Sequence, residues 1–164
     1  MIDDISVSIV IPTYNPAQYL RICLQSVLEK TRTDWEVIII NNFSNDNTVE
    51  IVQAMRDERF TLINFDNKGI IGAARNEGVR HARAPLIAFL DSDDGWEKNK
   101  LEVILNYFNE HTDVDLVCHD EWLYVGNKKT KILKYGAHSD YRNLLFKGNA
   151  LSTSAVTLKK NSFW

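Results

Sequence analysis

Three carboxylates within four residues are the feature of this sequence best suited to chemistry. They lie in the stretch 89–94, which reads Phe-Leu-Asp-Ser-Asp-Asp. Neighbouring carboxylates repel one another, so a bound cation would stabilise such a cluster. Hard oxygen ligands suit Mg²⁺ or Mn²⁺, and either ion can bridge to a diphosphate. The pattern therefore predicts a divalent metal site with Asp91, Asp93 and Asp94 as candidate ligands.

Other interpretations compete for the same acidic residues. A solvated turn that caps the next helix is one, because acidic side chains favour a helix N-terminus, and spacing alone does not decide between the two. A calcium loop is excluded because Gly95 lies one position too early and a strand precedes the loop. An aspartate-nucleophile phosphatase would carry the motif on its first strand, whereas three strand-helix units come before it here.

A second candidate segment, residues 67–78, combines glycines with an arginine. Its glycines allow close backbone approach, and Arg75 could offset the acidic cluster or pair with a phosphate. Simple helix packing with a surface arginine also explains this segment and is favoured when the segment is taken alone. The spacing fits neither the dinucleotide-binding G-x-G-x-x-G pattern nor the Walker lysine motif.

The remaining polar and thiol side chains suggest no further catalytic site. His119 stands beside two acids at a strand end, where a histidine is more often a satisfied edge residue than a base or metal ligand. Cys23 and Cys118 fit small buried hydrophobes, which weakly favours a reducing compartment. A short basic cluster fits a solvated loop face. That cluster consists of Lys128, Lys129, Lys131 and Lys134.

The elements that must position these residues alternate between strands and helices. Apolar, mostly β-branched runs predict strands at 7–11, 35–40, 60–65 and 86–90. Apolar residues at helical spacing predict intervening helices at 20–28, 49–55, 71–82 and 101–108. Asn15 and Pro16 supply a cap and a first-turn proline for the first helix. The alternation predicts an α/β, Rossmann-like fold: a mainly parallel, mixed sheet with helices on both faces.

The pattern changes in the last third of the chain. We expect a strand at 114–118, a hairpin of 122–125 with 130–133 around Gly126-Asn127, a strand at 155–158, and a helix from Asn161. In open α/β sheets, ligands bind beyond the carboxyl ends of the strands. The polar tips at 12–15, 41–46 and 91–94 should therefore converge.

Length and charge bound the broad class of protein. A chain of 164 residues with a net charge of -3 suits one globular domain and gives no support for nucleic-acid binding. No apolar run approaches the roughly 20 residues that span a bilayer, and the N-terminus lacks a signal-peptide pattern. We expect a cytoplasmic protein that can associate peripherally with the membrane through residues outside this sequence. Because the chain ends where a helix begins, we also expect it to be C-terminally truncated.

Taken in order, these segments resemble the family 2 inverting glycosyltransferases of the GT-A fold. Residues 8–15 look like the family's first strand and nucleotide-contacting turn, and 35–40 like its second strand. Asn76 and Gly78 lie in an Ala-Arg-Asn-x-Gly segment typical of the family. Residues 89–102 look like its Asp-x-Asp motif and following helix, and 149–159 like the segment before its acceptor region. The ordered set covers nearly the whole chain.

The resemblance implies one domain over 1–164, with a nucleotide-binding half at 1–112 and the start of an acceptor-side half at 113–164. It implies transfer of a sugar, with inversion, from a nucleoside diphosphate donor, preferably UDP, to a saccharide or lipid-linked acceptor in polysaccharide synthesis for the cell envelope. A Mn²⁺ or Mg²⁺ ion would stabilise the departing diphosphate. The implied nucleotide-binding residues are Pro12, Thr13, Tyr14, Asn15, Asn42, Ser44, Gly69, Arg75, Asn76, Asp91 and Ser92, and the implied metal ligands are Asp93, Asp94 and Asp91.

Two departures from the family pattern qualify this expectation. Asn41-Asn42-Phe43-Ser44 stands where the family usually has Asp-Asp-Gly-Ser. The Asn side-chain oxygen can accept a hydrogen bond from uracil N3–H, and its amide can donate to a carbonyl, but a positive φ at Phe43 would be strained. The family's general base, an acid downstream of Thr153-Ser154, would fall beyond Trp164. The fragment is therefore expected to bind the donor and to transfer sugar poorly.

Two other functions remain open at this point. A non-catalytic nucleotide-sugar-binding module would keep the fold without the chemistry, and the Asn41-Asn42 pair favours it. A nucleotidyltransferase would also use acidic metal ligands. That class needs a glycine-rich, lysine-bearing loop after its first strand, and residues 12–15 do not provide one.

Overall fold

The computed structural model describes residues 5–126, 128–135 and 151–162 of the chain. Its first part alternates strands and helices as predicted. These are β1 (Val7–Thr13), α1 (Ala17–Leu28), β2 (Trp35–Asn41), α2 (Thr48–Ala54), β3 (Phe60–Asn64), α3 (Ile71–His81), β4 (Leu86–Phe89) and α4 (Lys100–Glu110).

The later elements also follow the predicted order. They are β5 (Leu116–Cys118), the hairpin strands β6 (Glu121–Val125) and β7 (Lys128–Leu133), and β8 (Val156–Lys159). Single 3-10 turns flank β8 at Thr153–Ala155 and Lys160–Ser162. The helix expected from Asn161 is thus a 3-10 turn within the described residues. Asn127, half of the predicted hairpin turn, lies outside them.

Six strands form one mixed sheet in the order β3-β2-β1-β4-β8-β5. The pairs β1–β2, β1–β4 and β2–β3 are parallel, whereas β8 runs antiparallel to both of its neighbours. The direction of winding reverses at β1, which lies between β2 and β4. In open α/β sheets such a reversal opens a crevice at the carboxyl ends of the strands. The predicted α/β fold with a mainly parallel, mixed sheet is confirmed.

Helices cover both faces of the sheet because successive strand residues point to opposite sides. On one side, Ile9 and Ile39 belong to a core shared with α1, α2 and α4. On the other side, Val10 and Ile38 belong to a core shared with α3. The apolar runs 9–11 of β1 and 37–40 of β2 are therefore buried on both faces, as their sequences predicted. The polar residues Ser8 and Glu36 that precede them are also buried, and Ser8 Oγ donates to Glu36 Oε1 at 2.6 Å.

Helix α3 lies unusually close to the central strand. A Cβ atom added to Gly78 would come within 2.3 Å of Cγ1 of Val10. Glycine is required here for space, because Val10 is a fully buried β-branched side chain in the middle of β1. This contact fixes the helix that also carries Arg75.

The start of α1 is capped differently from the sequence prediction. Asn15 was expected to cap the helix, but its Oδ1 accepts a hydrogen bond from Asn45 N at 2.9 Å. The backbone N–H of Ala17 instead donates to Oδ2 of Asp46 at 2.9 Å. The prediction for Asn15 was wrong because a residue in the next strand-helix loop supplies the cap. As a result, α1 is tied directly to the β2 tip.

The two cysteines agree with the prediction that they are small buried side chains. Both cysteine thiols are free, with Cys23 buried and Cys118 partly buried. Within the ranges that the structure describes, no helix has the length and apolar character needed to cross a membrane.

Candidate functional site

A cleft of about 540 Å³ opens at the carboxyl ends of β1, β2 and β4. It is lined by residues 12–15 of the first tip, Asn42 of the second, Gly69, and residues 91–93 of the acidic loop. The structure therefore brings together most of the predicted nucleotide and metal residues. The four predicted residues outside its lining are Ser44, Arg75, Asn76 and Asp94. Sequence reasoning missed Asn67 and Ile71, which also line the cleft.

A second cavity of about 630 Å³ lies between α1 and α2. It is a more open groove, and Arg21 and Glu50 are the charged side chains in its lining. None of the predicted site residues lines this groove, although Gln18 lines both the groove and the cleft. Its size alone does not make it a better candidate than the cleft.

The β1 tip presents unused polar and aromatic groups to the cleft. The side chain of Thr13 is buried, and its Oγ1 has no hydrogen-bond partner among the described residues. Buried polar atoms rarely lack a partner, so a ligand in the cleft is a natural source of one. The neighbouring Tyr14 is 62% exposed and is free to contact a planar ligand.

Ser44 supports the cleft without lining it. Its Oγ accepts a hydrogen bond from Asn15 N at 3.0 Å and donates to Asn41 Oδ1 at 2.6 Å. Asn41 is buried and donates through Nδ2 to Asn64 Oδ1 at 2.8 Å. Ser44 and Asn41 therefore hold the β1 and β2 tips in a fixed relation.

Asn42 is oriented by the backbone of the loop after β3. Its Oδ1 accepts a hydrogen bond from the backbone N–H of Asn67 at 3.2 Å, and the backbone N–H of Asn42 donates to Thr13 O at 2.9 Å. Because one lone pair of Oδ1 is already used, the Nδ2 donor is the freer end of the amide. The adjacent Phe43 has φ 51° and is 62% exposed. A non-glycine residue at positive φ is strained by about 1 kcal/mol or more, as the sequence predicted.

Two of the three acidic-loop carboxylates already have protein partners. Asp91 Oδ1 forms an ion pair with Arg75 Nη2 at 2.7 Å. Asp94 Oδ2 accepts a hydrogen bond from Ser154 Oγ at 2.6 Å. The exposed Asp93 carboxylate has no such partner among the described residues and lines the cleft. Arg75 therefore offsets the acidic cluster, one of the two roles considered for it.

Ser154 holds the acidic loop in shape. This buried hydroxyl donates to Asp94 and also accepts a hydrogen bond from Asp91 N at 3.0 Å. Trp96 Nε1 donates to Ser154 O at 2.9 Å, and this hydrogen bond helps to hold the serine in place. The sequence singled out Thr153-Ser154 only by resemblance. The 63 residues that separate Ser154 from Asp91 give no local signal of this contact.

The acids in this loop shift the pKa values of their neighbours. Partial desolvation raises the pKa of Asp94, and the charges of Asp93, Glu121 and Asp91 raise it further, although the Ser154 hydrogen bond opposes them. Burial raises the pKa of the Cys23 thiol, and the three loop aspartates add to that effect. Cys23 therefore stays protonated and is not a nucleophile.

The donor set fits a metal ion that is shared with a ligand. Among the described residues, no three His, Cys, Asp or Glu side chains lie close enough to hold an ion together. Mg²⁺ is usually bound through one or two carboxylates plus substrate phosphates. Asp93, with the Asp91 oxygen that Arg75 does not use, matches that requirement. Such a site would be completed by a diphosphate.

His119 lies at the sheet edge, but it is not the fully satisfied residue that was predicted, because its Nε2 is buried with no hydrogen-bond partner among the described residues. Its Nδ1 donates to Asp120 O at 2.8 Å, and burial lowers its pKa. The adjacent Glu121 accepts hydrogen bonds from Tyr135 and Ser152. Within the described residues these side chains serve local structure.

Replacing Ser154 by alanine should weaken Mn²⁺ binding in the presence of a nucleoside diphosphate by about tenfold, because residues that orient metal ligands typically contribute 10–100-fold. Asp91 N would lose its acceptor and Asp94 its donor, so the loop would be less ordered. Calorimetry with the Thr153→Ala variant as neighbouring control would measure the effect. Equal Mn²⁺ affinity in both variants would show that Ser154 does not position the loop.

Comparison with known proteins agrees with this geometry. The family model described as glycosyl transferase family 2 matches residues 8–159. An Escherichia coli relative, UDP-Glc:alpha-D-GlcNAc-diphosphoundecaprenol beta-1,3-glucosyltransferase WfgD, is 42% identical over 102 residues, which is 62% of this chain and 40% of that protein. The matched stretches cover 33% to 43% of the length of four such curated relatives.

Solved structures share the same fold. S. aureus TarS 1-349 in complex with UDP superposes with a TM-score of 0.68 at 25% identity, over 77% of this chain and 38% of that one. The mannosyltransferase PcManGT from Pyrobaculum calidifontis, in complex with GDP-Man and Mn²⁺, has a TM-score of 0.68 at 20% identity, over 93% of this chain and 44% of that one.

Proposed function

Because this chain belongs to glycosyl transferase family 2, we propose that it transfers a sugar from a nucleoside diphosphate, with a UDP-sugar as donor, to an acceptor hydroxyl. The observation that carries the proposal is the convergence of the β1, β2 and β4 tips on one cleft. That cleft offers an unpaired hydroxyl, a fixed amide and a free carboxylate. Relatives of known name support the donor class, since TarS was solved with UDP and WfgD is named as a UDP-Glc-dependent enzyme.

We assign the nucleoside to the β1 side of the cleft and the diphosphate to the acidic loop. Thr13 and Tyr14 would contact the nucleoside, and Asn42 would face the nucleobase. Asp91 would lie between the ribose and the metal, to which it would offer the oxygen that is not paired with Arg75. Asp93 would hold Mn²⁺ or Mg²⁺ jointly with the diphosphate, and Asp94 is the adjacent candidate ligand. The ion would supply Lewis acidity that stabilises charge on the departing nucleoside diphosphate. The PcManGT complex with GDP-Man and Mn²⁺ supports such an ion in this fold.

We further propose that the acceptor hydroxyl attacks the anomeric carbon from the face opposite the diphosphate, with inversion. A lipid-linked saccharide is the favoured acceptor class, because WfgD is named for a diphosphoundecaprenol acceptor. The reaction would take place at the cytoplasmic face of the membrane. The resemblance puts the general base downstream of residue 164, and such a base typically contributes 10²–10⁴-fold.

Restoring the family's usual carboxylate at position 42, which would face the nucleobase, should strengthen uridine binding. An Asn42→Asp variant keeps the acceptor for Asn67 N and adds a full acceptor for uracil N3–H. We expect about tenfold tighter UDP binding, since hydrogen bonds to charged groups contribute about 1.5–3 kcal/mol. Calorimetry with Asn45→Asp, on the exposed part of the same loop, controls for the added charge. If Asn42→Asp bound UDP with equal or lower affinity, the nucleobase would have to bind away from residue 42.

Titration of UDP, GDP and dTDP with and without Mn²⁺ tests the proposed function. Metal-dependent binding with UDP preferred supports the proposal. Binding that does not need metal favours the non-catalytic module, for which the Asn42 departure is the specific observation. Absence of binding to all three nucleotides would refute the donor assignment.

A further inference from the structure

We propose that the β6–β7 hairpin docks on an anionic membrane surface. Among the described residues its strands pair only with each other, in a sheet separate from the six-stranded one. Residues 122–134 contain four lysines and no acidic residue, although the whole chain has 22 Asp and Glu against 19 Lys and Arg. The hairpin is therefore a positively charged projection on a protein that is otherwise acidic.

One face of the hairpin combines exposed aliphatic side chains with lysines. Leu123 lies opposite Lys131, and Val125 lies opposite Lys128, so all four share a face. Leu123 is 44% exposed and Val125 is 65% exposed. Throughout the described ranges, neither of the two lysines has an acidic partner. Aliphatic groups that enter the headgroup layer beside ammonium groups that meet lipid phosphates are the pattern of an interfacial membrane contact.

The other face adds aromatic side chains and an anchor to the body of the protein. Trp122 is 45% exposed and Tyr124 is 49% exposed, and both rings lie on the face that carries Lys129. Lys129 lies over the Trp122 ring at 5.2 Å and forms an ion pair with Glu97 Oε1 at 2.6 Å. Lys129 therefore fixes the hairpin and leaves the other face for the lipid.

The anchor places the hairpin beside the candidate site. Glu97 follows the acidic loop by three residues, and Glu121 Oε1 at the base of β6 accepts a hydrogen bond from Ser152 Oγ at 2.9 Å. Ser152 is two residues before Ser154, which shapes the acidic loop. Docking through the hairpin would thus hold the membrane close to the cleft. The proposed docking depends only on the residues of the hairpin. That docking would bring a lipid-linked acceptor close to the cleft is a consequence that rests on the proposed function.

Sedimentation of the chain with lipid vesicles tests the docking. We expect binding to vesicles of equimolar phosphatidylglycerol and phosphatidylcholine, none to phosphatidylcholine alone, and weaker binding as salt is raised. Each lysine near an anionic surface contributes about fivefold to binding. The Lys128→Gln, Lys131→Gln double variant should therefore bind at least about tenfold more weakly, and Val125→Ser should also bind more weakly.

The matched control loses two positive charges elsewhere. Arg21 and Arg56 are exposed and lie outside the hairpin, in α1 and just after α2. An Arg21→Gln, Arg56→Gln variant should keep vesicle binding. Equal loss in both double variants, no binding of the parent chain, or dimerisation that depends on Lys128 and Lys131 would overturn the proposal. UDP titration of the hairpin variants should match the parent, so a failed donor assignment is detected separately.

Discussion

Replacing Asp93 by asparagine should lower the affinity for UDP in the presence of Mn²⁺ by about 100-fold. Asp93 is the acidic-loop carboxylate that lines the cleft without a protein partner, so the protein's hold on the ion depends on it most. Loss of one charged partner from a desolvated pair costs about 2–5 kcal/mol, and 100-fold corresponds to about 2.7 kcal/mol. Calorimetric titration of UDP at fixed Mn²⁺ measures the change.

The Asp113→Asn variant controls for the loss of one negative charge, because Asp113 is exposed between α4 and β5. It should bind UDP as the parent does. Without metal, the parent and Asp93→Asn should bind UDP equally weakly. If Asp93→Asn kept full Mn²⁺-dependent affinity, the metal would have to be held by Asp91 and Asp94, and the assignment of Asp93 would be wrong.

Replacing Gly78 by alanine should destabilise the protein by about 1–2 kcal/mol. The new methyl group would lie 2.3 Å from Val10 Cγ1, a contact that neither the helix nor the central strand can relieve without moving. Overpacking in a well-packed core costs about 1–3 kcal/mol or more, and the helix propensity of alanine offsets only about 1 kcal/mol. Because Arg75 lies one turn earlier on α3, its ion pair with Asp91 should weaken as well. Urea unfolding measures the loss of stability.

The same helix offers a matched control. Gly72 has nothing within 4 Å of an added Cβ, so Gly72→Ala should be neutral or stabilising by up to about 1 kcal/mol. Opposite signs for the two substitutions would show that space against β1, and not helix propensity, explains Gly78. A Gly78→Ala variant as stable as Gly72→Ala would mean that α3 lies farther from the sheet than described.

Much of the fold follows from local patterns in the sequence. The continuous apolar runs of β1 and β2 identify strands that are buried on both faces, and the stripe in α1 identifies its buried side. The position of β8 in the sheet, by contrast, does not follow from local sequence patterns. It is inserted antiparallel between β4 and β5, and pairing of segments so far apart in sequence depends on tertiary contacts that no local pattern records.

The candidate site divides in the same way. Residues at strand tips, such as Thr13 and Asp93, could be predicted because the sheet itself brings the tips together. The hydrogen bonds that orient these site residues could not be predicted, because each depends on a partner far along the chain. Asn42 is oriented by Asn67, and the acidic loop is shaped by Ser154. These contacts decide which ends of the amide and of the carboxylates remain available to a ligand.

A divalent metal and a nucleoside diphosphate should bind the cleft together, because the described residues alone offer too few ligands to hold the ion. Titration of Mn²⁺, followed by electron paramagnetic resonance with and without UDP, tests it most directly. UDP should raise Mn²⁺ affinity by at least about tenfold, and linkage requires that Mn²⁺ raise UDP affinity by the same factor. Mn²⁺ binding that is equally tight without UDP would contradict the claim.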